Sequence, residues 1–172
     1  MCYEICMGSI TDFLTRDHER LDALLARAVQ DPDRFDYDSY AEFREGLLRH
    51  IGIEEKILML AAKQKNGGEP LPMFRQIRLE HSAIALLLVP TPTHQLMAEI
   101  KLILDQHNPR EEGPDGLYEV CERLAGEEEL PALLERIRQA PKVPVARHYD
   151  GPRAHTTAAS ALAYAAQGSS KG

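Results

Sequence analysis

At 172 residues, with 44% hydrophobic and 27% charged, the chain has the length and composition of one globular domain and is too apolar to be disordered. A formal net charge of −7 argues against a nucleic-acid partner, and no run approaches the roughly 18 apolar residues of a membrane span, so neither nucleic acid nor membrane is expected. Cys2, Cys6 and Cys121 are too few, and odd in number, for a disulfide framework; Met1-Cys2-Tyr3-Glu4 lacks the start of a signal peptide, so the expected compartment is the cytoplasm.

The first helical signal opens at Ser9, which with Asp12 has the form of a capping box. Ile10, Phe13, Leu14, His18, Leu21, Leu24, Leu25 and Ala28 then recur at helical spacing until Asp31-Pro32-Asp33. His18 thus falls inside an apolar stripe. After an Asp-rich linker, Ser39 with Glu42 marks the next start, and Phe43, Leu47, His50, Glu54, Leu58 and Ala61 follow at three or four residues. Side chains at i and i+4 stack with Cβ atoms about 5–6 Å apart, so His50 and Glu54 can share a metal ion while standing where core residues belong. This helix ends near Asn66-Gly67-Gly68.

Leu71-Pro72 opens a third helix with Phe74, Ile77, His81, Ile84 and Leu88 on one face, closed by Pro90-Thr91-Pro92. The fourth begins near Thr93 and carries Leu96, Ile100, Ile103 and His107, with Glu111 four residues on. Pro109 lies inside that pair. Because Leu117, Tyr118, Cys121 and Leu124 keep the apolar spacing in phase, a kinked helix is expected; the rival is a fresh start with Asn108 as cap and Pro109 first. Leu130 to Ile137 reads as a short fifth helix, with Pro131 near its start. The rest is expected to be an irregular Pro/Ala-rich tail with a flexible end; its Ala-rich piece over 156–167 is compatible with helix but lacks a strong stripe and is given no role.

Asp17-His18-x-x-Leu21-x-x-Leu24-Leu25 matches Glu80-His81-x-x-Ile84-x-x-Leu87-Leu88, and Arg49-His50 to Glu54-Glu55 matches Gln106-His107 to Glu111-Glu112. The repeated order, with short connections, predicts an all-α fold: an up-down-up-down four-helix bundle over 9–125, then a short helix and tail over 126–172. In that bundle four His and two Glu converge on one interior region. Burial without partners costs roughly 2–7 kcal/mol for a neutral polar group, and neighbouring carboxylates repel. A metal is therefore the expected partner; imidazole and carboxylate suit iron, manganese or zinc, and carboxylates that bridge make a two-metal centre the natural arrangement.

A lone buried His is more often a hydrogen-bonded core residue, and a lone His-Glu pair a surface interaction. Six such residues on four apolar faces in repeated order leave that reading little room. His94 lies off the stripe and reads as surface, while His148 and His155 stand in the tail without pattern. Cys2 and Cys6 read as incidental thiols or, through their spacing, redox or metal donors; Cys121 reads as core, close enough to the metal-bearing helix to be oxidised or to ligate.

As a set, Asp17-His18, His50-Ile51-x-x-Glu54-Glu55, Glu80-His81 and His107-x-x-x-Glu111-Glu112 followed by Leu117-Tyr118 resemble the hemerythrin-like, or HHE cation-binding, superfamily over about residues 9 to 125. The resemblance implies two iron ions joined by an oxo or hydroxo bridge, with manganese or zinc as alternatives. It carries His18 and His50 onto one iron, His81 and His107 onto the other, and Glu54 and Glu111 between them. The oxygen carriers of the family have a second His one turn from the lone His of the third helix; here Ile77 and Ala85 stand at the two positions. If iron takes roughly six ligands, about one position per metal stays open.

The resemblance thus points to binding or reduction of oxygen, peroxide or nitric oxide, in oxidative or nitrosative stress, iron homeostasis or iron–sulfur repair, rather than oxygen carriage. Two readings compete. One is a non-catalytic di-iron sensor or iron-binding module signalling to an unidentified protein partner through the tail after Ala140; the other is a metal-free helical interaction domain. No side chain is assigned a catalytic role, and enzyme or not is left open.

Overall fold

The structure is a computed structural model that describes residues 9–169, and its regular elements are helices, with one isolated bridge between Asp31 and Arg34. In chain order they are α1 (Ile10–Ala28), α2 (Tyr37–Ile53), a π-helical turn (Glu54–Leu58), α3 (Met59–Lys65), α4 (Phe74–Leu87), α5 (His94–Glu112), α6 (Leu117–Arg138) and α7 (Ala158–Ser169). Among the described residues, no helix is long and apolar enough to cross a membrane. Cys2, Cys6 and the last three residues, expected as a flexible end, lie outside the described residues.

Side-chain caps set the helix starts. Ser9 Oγ accepts the Asp12 N–H at 2.9 Å, and the Asp12 carboxylate accepts the Ser9 N–H, which completes the expected capping box. The start of α2 lies earlier than the sequence suggests. Asp36, not Ser39, is its cap: Oδ1 accepts from the Asp38 and Ser39 N–H groups at 3.1 and 3.0 Å, and Ser39 Oγ donates to Oδ2 at 2.7 Å. One carboxylate thus accepts three bonds, two from orphan amides and one from the Ser39 hydroxyl, more than a single hydroxyl oxygen accepts. Thr93 caps α5 as expected, accepting the Leu96 N–H at 3.1 Å.

Pro109 neither starts a helix nor lets one continue to Leu124. Helix α5 runs through it to Glu112, where the missing donor affects only the last turns. The chain then reverses at Gly113-Pro114-Asp115-Gly116, with Asp115 at φ 55°. A Cβ on Gly113 would lie 2.5 Å from Pro109 O, and one on Gly116 2.6 Å from Glu111 O, so the tight turn requires glycine at both positions. Leu117 restarts the chain as α6. The apolar phase persists past Pro109 because a new helix presents Leu117, Tyr118 and Cys121 to the core.

The expected short fifth helix is present as the second arm of α6, beginning a few residues before Leu130. Gly126 at φ 72° turns the chain, giving arms over 117–125 and 127–138, with Pro131 inside the second and Leu133, Leu134 and Ile137 buried. The larger correction concerns the tail. Residues 139–157 are irregular but tied down: Arg44 and Arg49 donate to Ala146 O and Ala140 O, both at 2.9 Å, and Asp150 accepts from the Thr91 N–H and hydroxyl, both at 2.7 Å. Helix α7 then packs along α4, burying Ala158, Ala161 and Ala165. Three alanines at helical spacing form a stripe too weakly apolar to stand out in the sequence, yet small enough for two helices to approach closely.

The core consists of two apolar clusters. The first gathers Leu21, Leu24 and Leu25, then Tyr40, Phe43 and Leu47, then Ala83, Ile84 and Leu87, then Leu96 to Leu104 of α5, and the α7 alanines. The second gathers Ile10 and Leu14, then Ile53, Leu58 and Met59, then Phe74 and Ile77, and Leu117, Tyr118, Cys121 and Leu133 to Ile137 of α6. Helices α1, α2 and α4 each cross from one cluster to the other, and each crossing is marked by an imidazole. His18 lies between Leu14 and Leu21, His50 between Leu47 and Ile53, and His81 between Ile77 and Ile84.

Candidate metal centre

The polar layer between the two clusters holds all six residues singled out by the sequence. His18, His50, Glu54, His81, His107 and Glu111 are each at most 5% exposed. They form two overlapping groups, each able to hold a metal ion: His18, His50, Glu54 and Glu111, and Glu54, His81, His107 and Glu111. Within each group one ligand atom from every residue lies within 4.8 Å of the others. Glu54 and Glu111 belong to both.

The imidazoles are aimed by a ring of outer carboxylates. Asp17 Oδ2 lies 2.8 Å from His50 Nδ1, Glu80 Oε2 2.8 Å from His107 Nδ1, Glu55 Oε1 2.9 Å from His81 Nδ1, and Glu112 Oε1 2.5 Å from His18 Nδ1. Each Nδ1 is thereby assigned as the donor, which leaves each Nε2 with its lone pair facing inward. The partnership crosses helices. Asp17 and Glu80 serve not their neighbours His18 and His81 but the His of the next His-Glu pair, while Glu55 serves the lone His81 ahead of it and Glu112 the lone His18 near the start of the chain. The acids are held in turn: Arg20 Nε donates to Asp17 at 2.9 Å, and Gln76 and Arg110 donate to Glu80 at 2.7 and 3.1 Å.

On the inner side His50 Nε2 lies 3.2 Å from Glu54 Oε1, and His107 Nε2 3.0 Å from Glu111 Oε1. His81 Nε2 approaches Glu54 Oε2 and Glu111 Oε1 to 3.1 and 3.3 Å, yet none of these three buried atoms has a hydrogen-bond partner among the described residues. The atoms are close but wrongly aligned for N–H···O bonds, as expected when lone pairs point at a common centre instead of at each other. A native interior seldom leaves such groups unmet. The donor set therefore fits a cation: neutral nitrogens and anionic oxygens, convergent and oriented from outside.

The protein's own charges show how tightly the layer is drawn together. Burial alone would depress the His50 pKa, but the Glu54 charge and the bond to Asp17 outweigh it and raise the pKa to about 10. His107 is similarly lifted against burial, to about 9, by the adjacent Glu111 carboxylate and the bond to Glu80, and His81 rises well above its usual range. Glu54 and Glu111 go the other way: burial favours their protonation, and the imidazoles override it and hold both low. Positive charge at the centre is what these carboxylates require, whether supplied by protons or by metal.

Both His-Glu pairs sit where the helical ladder is irregular. After His50 the chain widens into the π turn, in which the Met59 N–H bonds Glu54 O; in the second pair Pro109 intervenes. Such π turns recur at functional sites. Nothing in the residue pattern signals it.

Sequence reasoning also missed Tyr118, read only as part of an apolar repeat. Its hydroxyl donates to Glu54 Oε1 at 2.7 Å and lies 3.1 Å from His50 Nε2 and 3.3 Å from both His18 Nε2 and Glu111 Oε2. Burial and the two carboxylates push its phenol pKa well up. The other candidates stand apart. His94 is partly exposed at the start of α5 and donates to Asp31 O at 2.8 Å, and His148 and His155 pair with Val89 O and Ser160 Oγ. Cys121 is buried, belongs to neither group, and has its thiol pKa pushed to about 12 by burial and nearby carboxylates.

The fold and site thus define an all-helical protein with buried His/Glu groups that could hold metal. No family model, curated protein or solved structure matches the chain.

Proposed function

We propose that the chain is a non-haem di-iron protein of hemerythrin-like kind, in which a small ligand (oxygen, peroxide or nitric oxide) is bound or reduced. His18 and His50 would hold one iron and His81 and His107 the other, with Glu54 and Glu111 serving both. The observation that carries this reading is the pair of overlapping groups sharing Glu54 and Glu111, with every imidazole fixed through Nδ1 by its own carboxylate. Bound iron would supply open coordination positions and electrons. The chain's residues keep both glutamates ionised, hold each Nε2 lone pair inward, and exclude bulk water with an apolar cluster on either side of the layer.

The same reading takes α1, α2 with α3, α4 and α5 as the up-down-up-down bundle, with α6 closing one end. Supporting it, α1 and α4 run from the second cluster to the first while α2 runs from the first to the second. Cytoplasmic residence belongs to the proposal.

Elemental analysis of protein grown with ample iron, followed by oxygen, peroxide and nitric oxide additions monitored through the iron-to-ligand absorption bands, tests the proposal. Repeated turnover of peroxide supports an enzyme. A single stable spectral change favours a non-catalytic sensor, a reading supported by the packing of α7 along α4, the helix that carries Glu80 and His81. Protein free of iron overturns both.

A further inference from the structure

We infer that Tyr118 is a fifth protein donor to the metal of the His18–His50 group, closing that metal to outside ligands and leaving the His81–His107 metal as the one that meets a small molecule. The inference rests on the di-iron reading and corrects the expectation of one open position on each metal. Its basis is the position of the hydroxyl, 2.7 to 3.3 Å from a donor atom of each of the four residues in the first group. Donors on adjacent positions around an ion at about 2.1 Å are roughly 3 Å apart, so Oη stands where a fellow ligand stands.

The two groups differ in their unmet atoms. In the first group the phenol bonds Glu54 Oε1 and lies beside Glu111 Oε2, whereas Glu54 Oε2, Glu111 Oε1 and His81 Nε2, which face the second, have no hydrogen-bond partner among the described residues. One metal then has five protein donors, two Nε2, two carboxylate oxygens and Oη, and the other has four. With one further atom shared between the metals, a six-coordinate ion is complete on the Tyr118 side and retains one free position on the other.

The placement is built into the fold. Tyr118 lies in the first turn of α6, and the Gly113–Gly116 reversal brings that turn back under the layer. Ligation releases to solvent the proton that Oη now donates to Glu54, and an oxygen lone pair makes the metal bond; no electron changes hands.

The full-length chain is loaded with iron, oxidised, and examined by resonance Raman spectroscopy in its visible band, with azide as a small anionic probe. Tyrosinate ring vibrations are expected with one azide bound per two irons. In Tyr118→Phe, still carrying two irons, the vibrations should vanish and azide stoichiometry should double. Wild-type protein with two irons but no tyrosinate signal, or with two azides, overturns the inference, as does a Tyr118→Phe spectrum that keeps the signal. Should that variant fail to fold, the wild-type spectrum and azide count decide alone. Wild-type protein that takes up no iron fails at the earlier step and overturns the functional reading.

Discussion

Glu54 and Glu111 have no exposed surface, so their charges must be met from inside the protein. Replacing His50 or Glu111 with Ala should abolish iron binding and lower the melting temperature; unchanged iron content in both variants would contradict the ligand assignment. A subtler test is Glu80→Gln, which preserves shape while removing the anion that aligns His107. Metal titration should show affinity reduced by roughly 10- to 100-fold, the usual effect of disturbing an outer partner, and an unaltered isotherm would deny Glu80 that role. At this scale the sequence was informative in one respect and silent in another. The six inner residues were legible because charge on an apolar stripe is anomalous. Asp17, Glu55, Glu80 and Glu112 were visible as neighbours, but their partners were not, because each bond crosses to another helix. Tyr118 at helical spacing is indistinguishable from a core aromatic until its hydroxyl is located.

Helices α1, α2, α4 and α5 were legible from period and caps, and the misplaced boundaries have physical causes. Asp36 competes better than Ser39 for two orphan amides, and the Gly113–Gly116 turn changes helix without changing apolar phase, so periodicity could not reveal the break. Helix α7 was legible as a possible helix, but its docking was not, because alanine gives a weak apolar signal. Its docking has a direct test in Ala161, which is fully buried against α4. Ala161→Leu should overpack this contact and cost about 1–3 kcal/mol. In urea this would appear as a lower midpoint at unchanged slope; a midpoint equal to wild type would mean that α7 does not pack there.

For the whole molecule, the same layer that divides the core into two apolar clusters would join them through metal. Ligand binding to the native state alone stabilises it by RT ln(1 + [L]/Kd), about 2.7 kcal/mol at a free metal concentration 100 times Kd. Iron should therefore raise the melting temperature in a concentration-dependent way, and a chelator should reverse the gain; thermal scans at graded iron concentrations check this. That the chain is helical and that its six polar positions share one buried region could be anticipated from their places on apolar stripes at helical spacing. The most direct measurement is the iron content of iron-replete wild-type protein beside a Glu54→Ala/Glu111→Ala double variant. About two irons per chain in the first and none in the second are predicted; wild-type protein without iron, or equal iron in both, would contradict the shared-glutamate centre.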